Sequence, residues 1–226
     1  MKVKPWILTV GIFVVIFIVG MVLAYPLLKT EKKLKIYQPS DINPLLVDES
    51  KKDVKENHTI ANFSLTDQSG EKITQEDFEG KVYVADFFFA TCPSICPIMS
   101  ANIAELQEEF KDNPEVAFLS HSVTPEMDSV AVLAEYGERY EANPEVWHLT
   151  TGNKKHIYEL ARKSYFAVLD EGDGGVQDFI HTENFILVDT KKRIRGYYDG
   201  TSEKDMERLA DEIRILLAEE YPEKYG

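Results

Sequence analysis

Residues 6–28 read WILTVGIFVVIFIVGMVLAYPLL, a run without one charged side chain. Few features limit a chain's fold so severely. The run is longer than the roughly 20 residues a bilayer requires and well beyond the ~7–15 apolar residues of a signal-peptide core. An uncleaved transmembrane anchor is therefore expected over 6–28, with Trp6 and Tyr25 near the two interfaces and residues 1–5 on the cytoplasmic side. A cleaved leader is the competing reading, because Val22 and Ala24 weakly resemble a small-residue cleavage site. Lys2 and Lys4 precede the run and Lys29, Lys32, Lys33 and Lys35 follow it, so the positive-inside rule is balanced. A single N-terminal anchor ahead of a large domain implies export, with the domain on the periplasmic side of the cell membrane.

The formal net charge is −14. Lys2 and Lys4 are the only charges before residue 29, which leaves −16 on the remainder. A domain this acidic repels phosphate backbones, which argues against a nucleic-acid partner. Residues 29–58 hold charge runs, two prolines and no sustained period, and read as a tether. From 59 to 226 strands alternate with helices. NFSLTDQSGEKIT predicts two short strands around a turn at Gln68-Ser69-Gly70. KVYVADFFFA (81–90) predicts a strand buried on both faces, and VAFLSHSV and VWHLT predict two more. Helices are expected from Pro97, with Ile98, Ala101, Leu106 and Phe110 on one face, and over 128–140, with Val132, Leu133 and Tyr136 inward. Asn153 and Ser202 are expected to cap two further helices, and TENFILVDT with RIRGYYDG predicts a strand pair around Lys191-Lys192. The fold class is α/β, a layered sheet domain flanked by helices.

The only two cysteines lie in ATCPSICPIMS, as Cys92 and Cys96, each followed by proline. Proline costs nothing at the first position of a helix, so the helix is expected to begin at Pro97 with Cys96 as its N-cap. A thiolate there would be favoured by the positive helix end. A structural disulfide closing so short a loop would contribute only about 2 kcal/mol, which disfavours a staple. A redox couple and a metal clamp both remain. Two thiolates plus an imidazole form a soft three-coordinate set suited to Cu(I), or to Cu(II) or Zn(II) with a fourth ligand. Of the five histidines, His58 in the tether and His156 on a polar helix face read as solvated, and His148 as structural. His121 and His181 both lie near strand ends, and spacing alone leaves them equal.

These residues resemble the SCO/SenC family, membrane-anchored thioredoxin-like proteins of cytochrome c oxidase assembly. The similarity spans about residues 60–220. TCPSICP resembles the family's CPxxCP, and FSLTDQSG…DFEGKV, HSVTPEMDSV, WHLTTG and RGYYDGT follow family segments in order. DFIHTENFILVD resembles the family's histidine segment. The resemblance implies a thioredoxin-like fold over 59–226 and copper held by Cys92, Cys96 and His181, with no such role for His121. It implies a copper chaperone rather than an enzyme, whose partner is the copper-bearing subunit of cytochrome c oxidase and whose task is to help build that subunit's dinuclear copper site. The alternative is an extracytoplasmic thiol–disulfide oxidoreductase in which Cys92 and Cys96 cycle. One segment departs from the family: Thr124 stands where an Asp is common, and of the Asp-Pro-x-x-Asp pattern Asp128 alone keeps its acid.

Overall fold

The apolar run at 81–90 becomes β3 (Val82–Phe88), buried at every position. In a computed structural model of the chain, residues 5–28, 33–47, 57–168, 174–175 and 178–225 are described. Residues 1–4, 29–32 and 48–56, part of the expected N-terminus and tether, lie outside them. The chain divides into two units, residues 1–33 and 34–226.

The first unit holds α1 (Pro5–Leu28), 24 residues long, or about 36 Å at 1.5 Å per residue. Among the described residues no helix is long and apolar enough to cross a membrane. The anchor expected over 6–28 rests on the sequence.

The second unit is a mixed sheet in the order β2-β1-β5-β4-β3-β6-β7. Its strands are β1 (Ser64–Asp67), β2 (Lys72–Thr74), β3, β4 (Val116–Ser122), β5 (Trp147–Thr151), β6 (Asn184–Val188) and β7 (Ile194–Asp199). β3, β4 and β5 are parallel, while β6 joins β3 and β7 joins β6 antiparallel. Gly70, at φ +80°, supplies the left-handed residue that turns β1 into β2.

Alternation along the strands sorts the core into two layers. Val82, Val84 and Phe88 of β3 face α2 (Ile95–Glu109), α3 (Val130–Arg139) and α5 (Glu203–Glu220). Tyr83, Ala85 and Phe87 face α4 (Lys154–Glu159) and the π-helical turn Leu160–Ser164 that continues it. A short α6 (Pro222–Tyr225) follows α5. Asn153 and Ser202 cap α4 and α5 through their side-chain oxygens, as expected. Leu133 and Tyr136 point inward from α3, with Val132 only half-buried.

Two expectations change. The buried face of α2 is Cys96, Met99, Ser100, Ile103 and Leu106, ending in Phe110; Ile98 and Ala101 are exposed. Met99, Ile103, Leu106 and Phe110 stand at i, i+4, i+7 and i+11, so they form the apolar stripe and leave Ile98 and Ala101 on the outer side. The tether is also shorter than 29–58. Residues 34–47 pack on the domain: the Tyr37 amide donates to the Ile194 carbonyl at 2.8 Å, and Val47 is buried. The cause is Arg195, whose buried guanidinium donates to the carbonyls of Leu34 (2.8 Å) and Lys35 (3.2 Å). A buried charge needs all its donors met, and this segment meets two of them.

Candidate metal centre

β3 delivers the chain into a tight turn, closed by the Cys92 amide donating to the Phe89 carbonyl at 3.1 Å. α2 then begins at Ile95 with Ser94 as N-cap. Cys96 is thus the second residue of the helix and Pro97 the third, not N-cap and first. Proline is still tolerated there, because the amides of the whole first turn lack intrahelical acceptors. This two-residue difference exchanges the roles of the thiols.

Both cysteines are free thiols, and both are buried. Cys96 points into the layer beneath α2, among Phe88 and Met99. Burial pushes its thiol up to about 12, against a backbone hydrogen bond from Phe89, and the neighbouring Cys92 and Asp86 push the same way. Cys92 sits in the turn. Burial raises its thiol too, but hydrogen bonds from the backbone of Ser94 and Cys96, and from the Cys96 and Ser94 side chains, outweigh it and lower the pKa below the ordinary thiol value. The stabilised thiolate is therefore Cys92, held by the open amides of a helix start.

Two carboxylates support this loop, and only one of them was singled out by motif. Asp128, fully buried, accepts hydrogen bonds from the Ala90 amide (3.2 Å), the Ser122 hydroxyl (2.6 Å) and the Thr124 hydroxyl (3.0 Å). Thr124 thus serves Asp128 as a donor, a role an ionised Asp at that position could not fill. Asp86 lies beneath the pair on β3 and accepts from the Ser120 hydroxyl, which in turn accepts from the Trp147 indole at 2.9 Å. Burial raises the Asp86 carboxyl to about 7, the Ser120 bond opposing it. Its signal in the sequence was there to find: it is the one acid inside a run that is otherwise apolar from Val82 to Ala90.

His181 is exposed, in the segment that enters β6. The β3–β6 register pairs Tyr83 with Val188, Val84 with Leu187 and Ala85 with Ile186. The pairing is antiparallel, so the segment that enters β6 lies at the end of β3 that leads into the cysteine turn. The Phe89 and Phe179 rings meet edge to face at 5.3 Å, so the two segments are neighbours. The imidazole itself does not reach the thiols: among the described residues no three His, Cys, Asp or Glu side chains gather closely enough to hold a metal ion.

The other histidines are accounted for elsewhere. His121 lies on β4 beside Phe87 and Tyr165 in the layer opposite the cysteines, and burial lowers its pKa to about 3. It is a neutral core residue. His148 faces Asp67 at 3.2 Å and His156 is half-buried on α4. His58, expected in solvent, is buried with Nε2 2.8 Å from the Ser164 carbonyl, because the chain around it packs against the π-helical turn.

Comparison with known proteins extends the picture. The family model described as SCO1/SenC matches residues 51–218. The chain belongs to the SCO1/SenC family. A SCO1 protein homolog from Bacillus subtilis is 30% identical over 160 residues, covering 70% of this chain and 82% of that protein. Among solved structures, BsSco, a member of the Sco family of cytochrome c oxidase assembly proteins with an identified disulfide switch, superposes with a TM-score of 0.60 at 29% identity, covering 70% of this chain and 92% of that one. Arabidopsis thaliana ScoI with copper bound gives 0.55 at 25% identity, covering 72% and 98%. The mixed sheet flanked by helices is thus the thioredoxin-like architecture of Sco proteins.

Proposed function

We propose that this SCO1/SenC protein is a copper-binding assembly factor for the dinuclear copper site of cytochrome c oxidase. The observation that carries this reading is the pair of free thiols on one turn, with the Cys92 thiolate stabilised by backbone amides, beside the segment that bears His181. Two thiols form a soft donor pair that fits copper. Copper is the cargo. Cys92 and Cys96 supply thiolates and His181 an imidazole, brought in by a shift of the 178–183 segment toward the cysteine turn. A site completed only when that segment closes both holds copper and gives it up, as a delivery protein must. α1 is the anchor, spanning the membrane with the domain outside the cytoplasm, where a copper-bearing oxidase subunit is the partner. Support comes from relatives known for oxidase assembly and for bound copper, and from the charge-free run at 6–28.

The test is a titration of the purified chain in detergent micelles with Cu(I) and Cu(II), beside His181→Ala. Stoichiometric binding is expected for the parent, with at least about a tenfold loss in the variant, since even the outer-shell partners of a metal ligand contribute about 10–100-fold. Equal, weak binding by both, with dithiol exchange intact, would sink the copper reading and leave the thiol–disulfide oxidoreductase. Alkaline carbonate extraction tests the anchor: release of the protein with the soluble fraction contradicts it.

A further inference from the structure

The Asp128 carboxylate carries three hydrogen bonds on a single oxygen, Oδ2. The other, Oδ1, is buried and finds no hydrogen-bond partner among the described residues. No lysine, arginine or histidine pairs with Asp128 among the described ion pairs. Such an arrangement is costly: an uncompensated buried carboxylate destabilises a fold unless its remaining contacts repay it. Each contact it does make ties a different piece of chain. Ser122 ends β4, Thr124 opens the following loop, and Ala90 begins the cysteine turn. Asp128 itself directly precedes Ser129, the N-cap of α3, and α3 reaches α2 through a 2.7 Å bond between the Tyr136 and Ser100 hydroxyls.

We propose that Asp128 is a positioning residue for the cysteine pair, clamping the entrance of its turn at Ala90 so that the dithiol form is held in the geometry seen here. The inference rests on the pair being the working site, whether for copper or for electrons. In the dithiol, Cys92 Sγ lies 3.8 Å from the Ser94 hydroxyl. A Cys92–Cys96 disulfide takes Cys92 Sγ out of that contact, and the turn from Phe89 to Ser94 adjusts to the new bond. An anchored Ala90 amide resists that movement, so the clamp favours the dithiol over the disulfide. Thr124 and Ser122 act through Asp128, because their hydroxyls aim the same oxygen at Ala90.

The experiment equilibrates the full chain, in detergent micelles and without copper, with glutathione buffers. In this exchange the two protein thiols give their hydrogens and two electrons to oxidised glutathione, yielding the protein disulfide and two reduced glutathiones. The disulfide fraction is read by mass after alkylation. Asp128→Asn is expected to shift the equilibrium about tenfold toward the disulfide, or about 30 mV for a two-electron couple. Thr124→Val, at a half-buried position, should shift it the same way by roughly threefold, a fraction of one hydrogen bond. A purely structural Asp128 would lower the urea midpoint and leave the glutathione equilibrium in place. An equilibrium within twofold of the parent for Asp128→Asn, or a shift toward the dithiol, overturns the proposal. Should that variant fail to fold, Thr124→Val decides alone, and no shift there overturns it equally. Copper plays no part in the measurement, so its failure leaves the copper reading standing and the failure of that reading leaves this one testable.

Discussion

Two buried clusters of charge stand at opposite ends of the strands, and they are built on opposite terms. At the start of β7, Arg195 is wholly buried and fully answered: Asp189 at 3.0 Å, Glu219 at 2.6 Å, and the carbonyls of Leu34 and Lys35. Arg193 adds a second cation on Asp189 at 2.6 Å. At the far end, around the cysteine turn, Asp128 and Asp86 are just as buried but meet only neutral donors. Where charge is matched by charge, the cluster fastens chain segments together. Where it is left to hydroxyls and amides, it holds the turn that carries the thiols at Ala90 and, through Asp86, adds to the rise of the Cys96 thiol. The first arrangement serves stability, and the second accepts strain beside the reactive groups.

The sharpest way to break this contrast is Arg195→Met. Removing one partner of a buried ion pair strands the other, at about 3–5 kcal/mol. Arg193 continues to hold Asp189, so the lower end of that range is expected, read as a drop in the urea midpoint. Residues 34–47 should also come loose, seen as new tryptic cleavage after Lys35. A loss below about 1 kcal/mol, the value of a surface pair, would show that the cluster fastens nothing and would remove the comparison's first half.

That cluster also marks where the sequence stopped being informative. The strands were legible because apolar runs and alternation are local: β3, β4, β5 and the β6–β7 pair all fall where the residue pattern puts them. The tether at 34–47 reads as structureless because its apolar residues, Tyr37, Ile42, Leu46 and Val47 among them, follow no sustained period, although they pack against the core. Its reason for packing is an arginine some 160 positions away, and composition carries no such information. The helix start failed for a subtler cause. Proline is tolerated throughout the first turn, so Pro97 located that turn without fixing its register, and a two-residue error moved the favoured thiolate from Cys96 to Cys92. In the sequence Asp128 is only the remaining acid of a motif, and its part in holding Ala90 appears once β3 and β4 lie side by side.

Asp86 tests the second half of the comparison through pH. Its folded pKa is raised to about 7 from the ordinary carboxylate value of 3.8, chiefly by burial. Between those values the folded state keeps a proton that the unfolded chain has released. Stability therefore falls as pH rises from about 4 to 7, and the penalty is constant above that range. Asp86→Asn removes the titrating group. The variant should gain on the parent across that window, by roughly 2–4 kcal/mol at pH 8, with little difference at pH 4. Parallel stability curves for the two proteins, measured by urea unfolding, would mean that the carboxylate is not held uncompensated and that the two ends of the sheet do not differ as described.

The smallest effect concerns the thiols themselves, and it sharpens the contrast to single atoms. Two cysteines four residues apart share one turn, yet the Cys92 thiol is lowered by the amides around it while burial holds Cys96 up near 12. The thiolate is the nucleophile, so at pH 7.5 iodoacetamide should modify Cys92 at least a hundredfold faster than Cys96, by peptide mass against time. The reverse order would restore Cys96 as the favoured thiolate. Equal rates would mean that Cys96 leaves its seat among Phe88 and Met99 often enough to share solvent with Cys92. Raising the pH should speed Cys92 little once it is ionised, while Cys96 continues to gain tenfold per unit, because a group with a pKa near 12 remains almost wholly protonated throughout the accessible range. The gap therefore narrows upward in pH, and its size at a given pH reports how firmly burial and Asp86 hold the second thiol neutral.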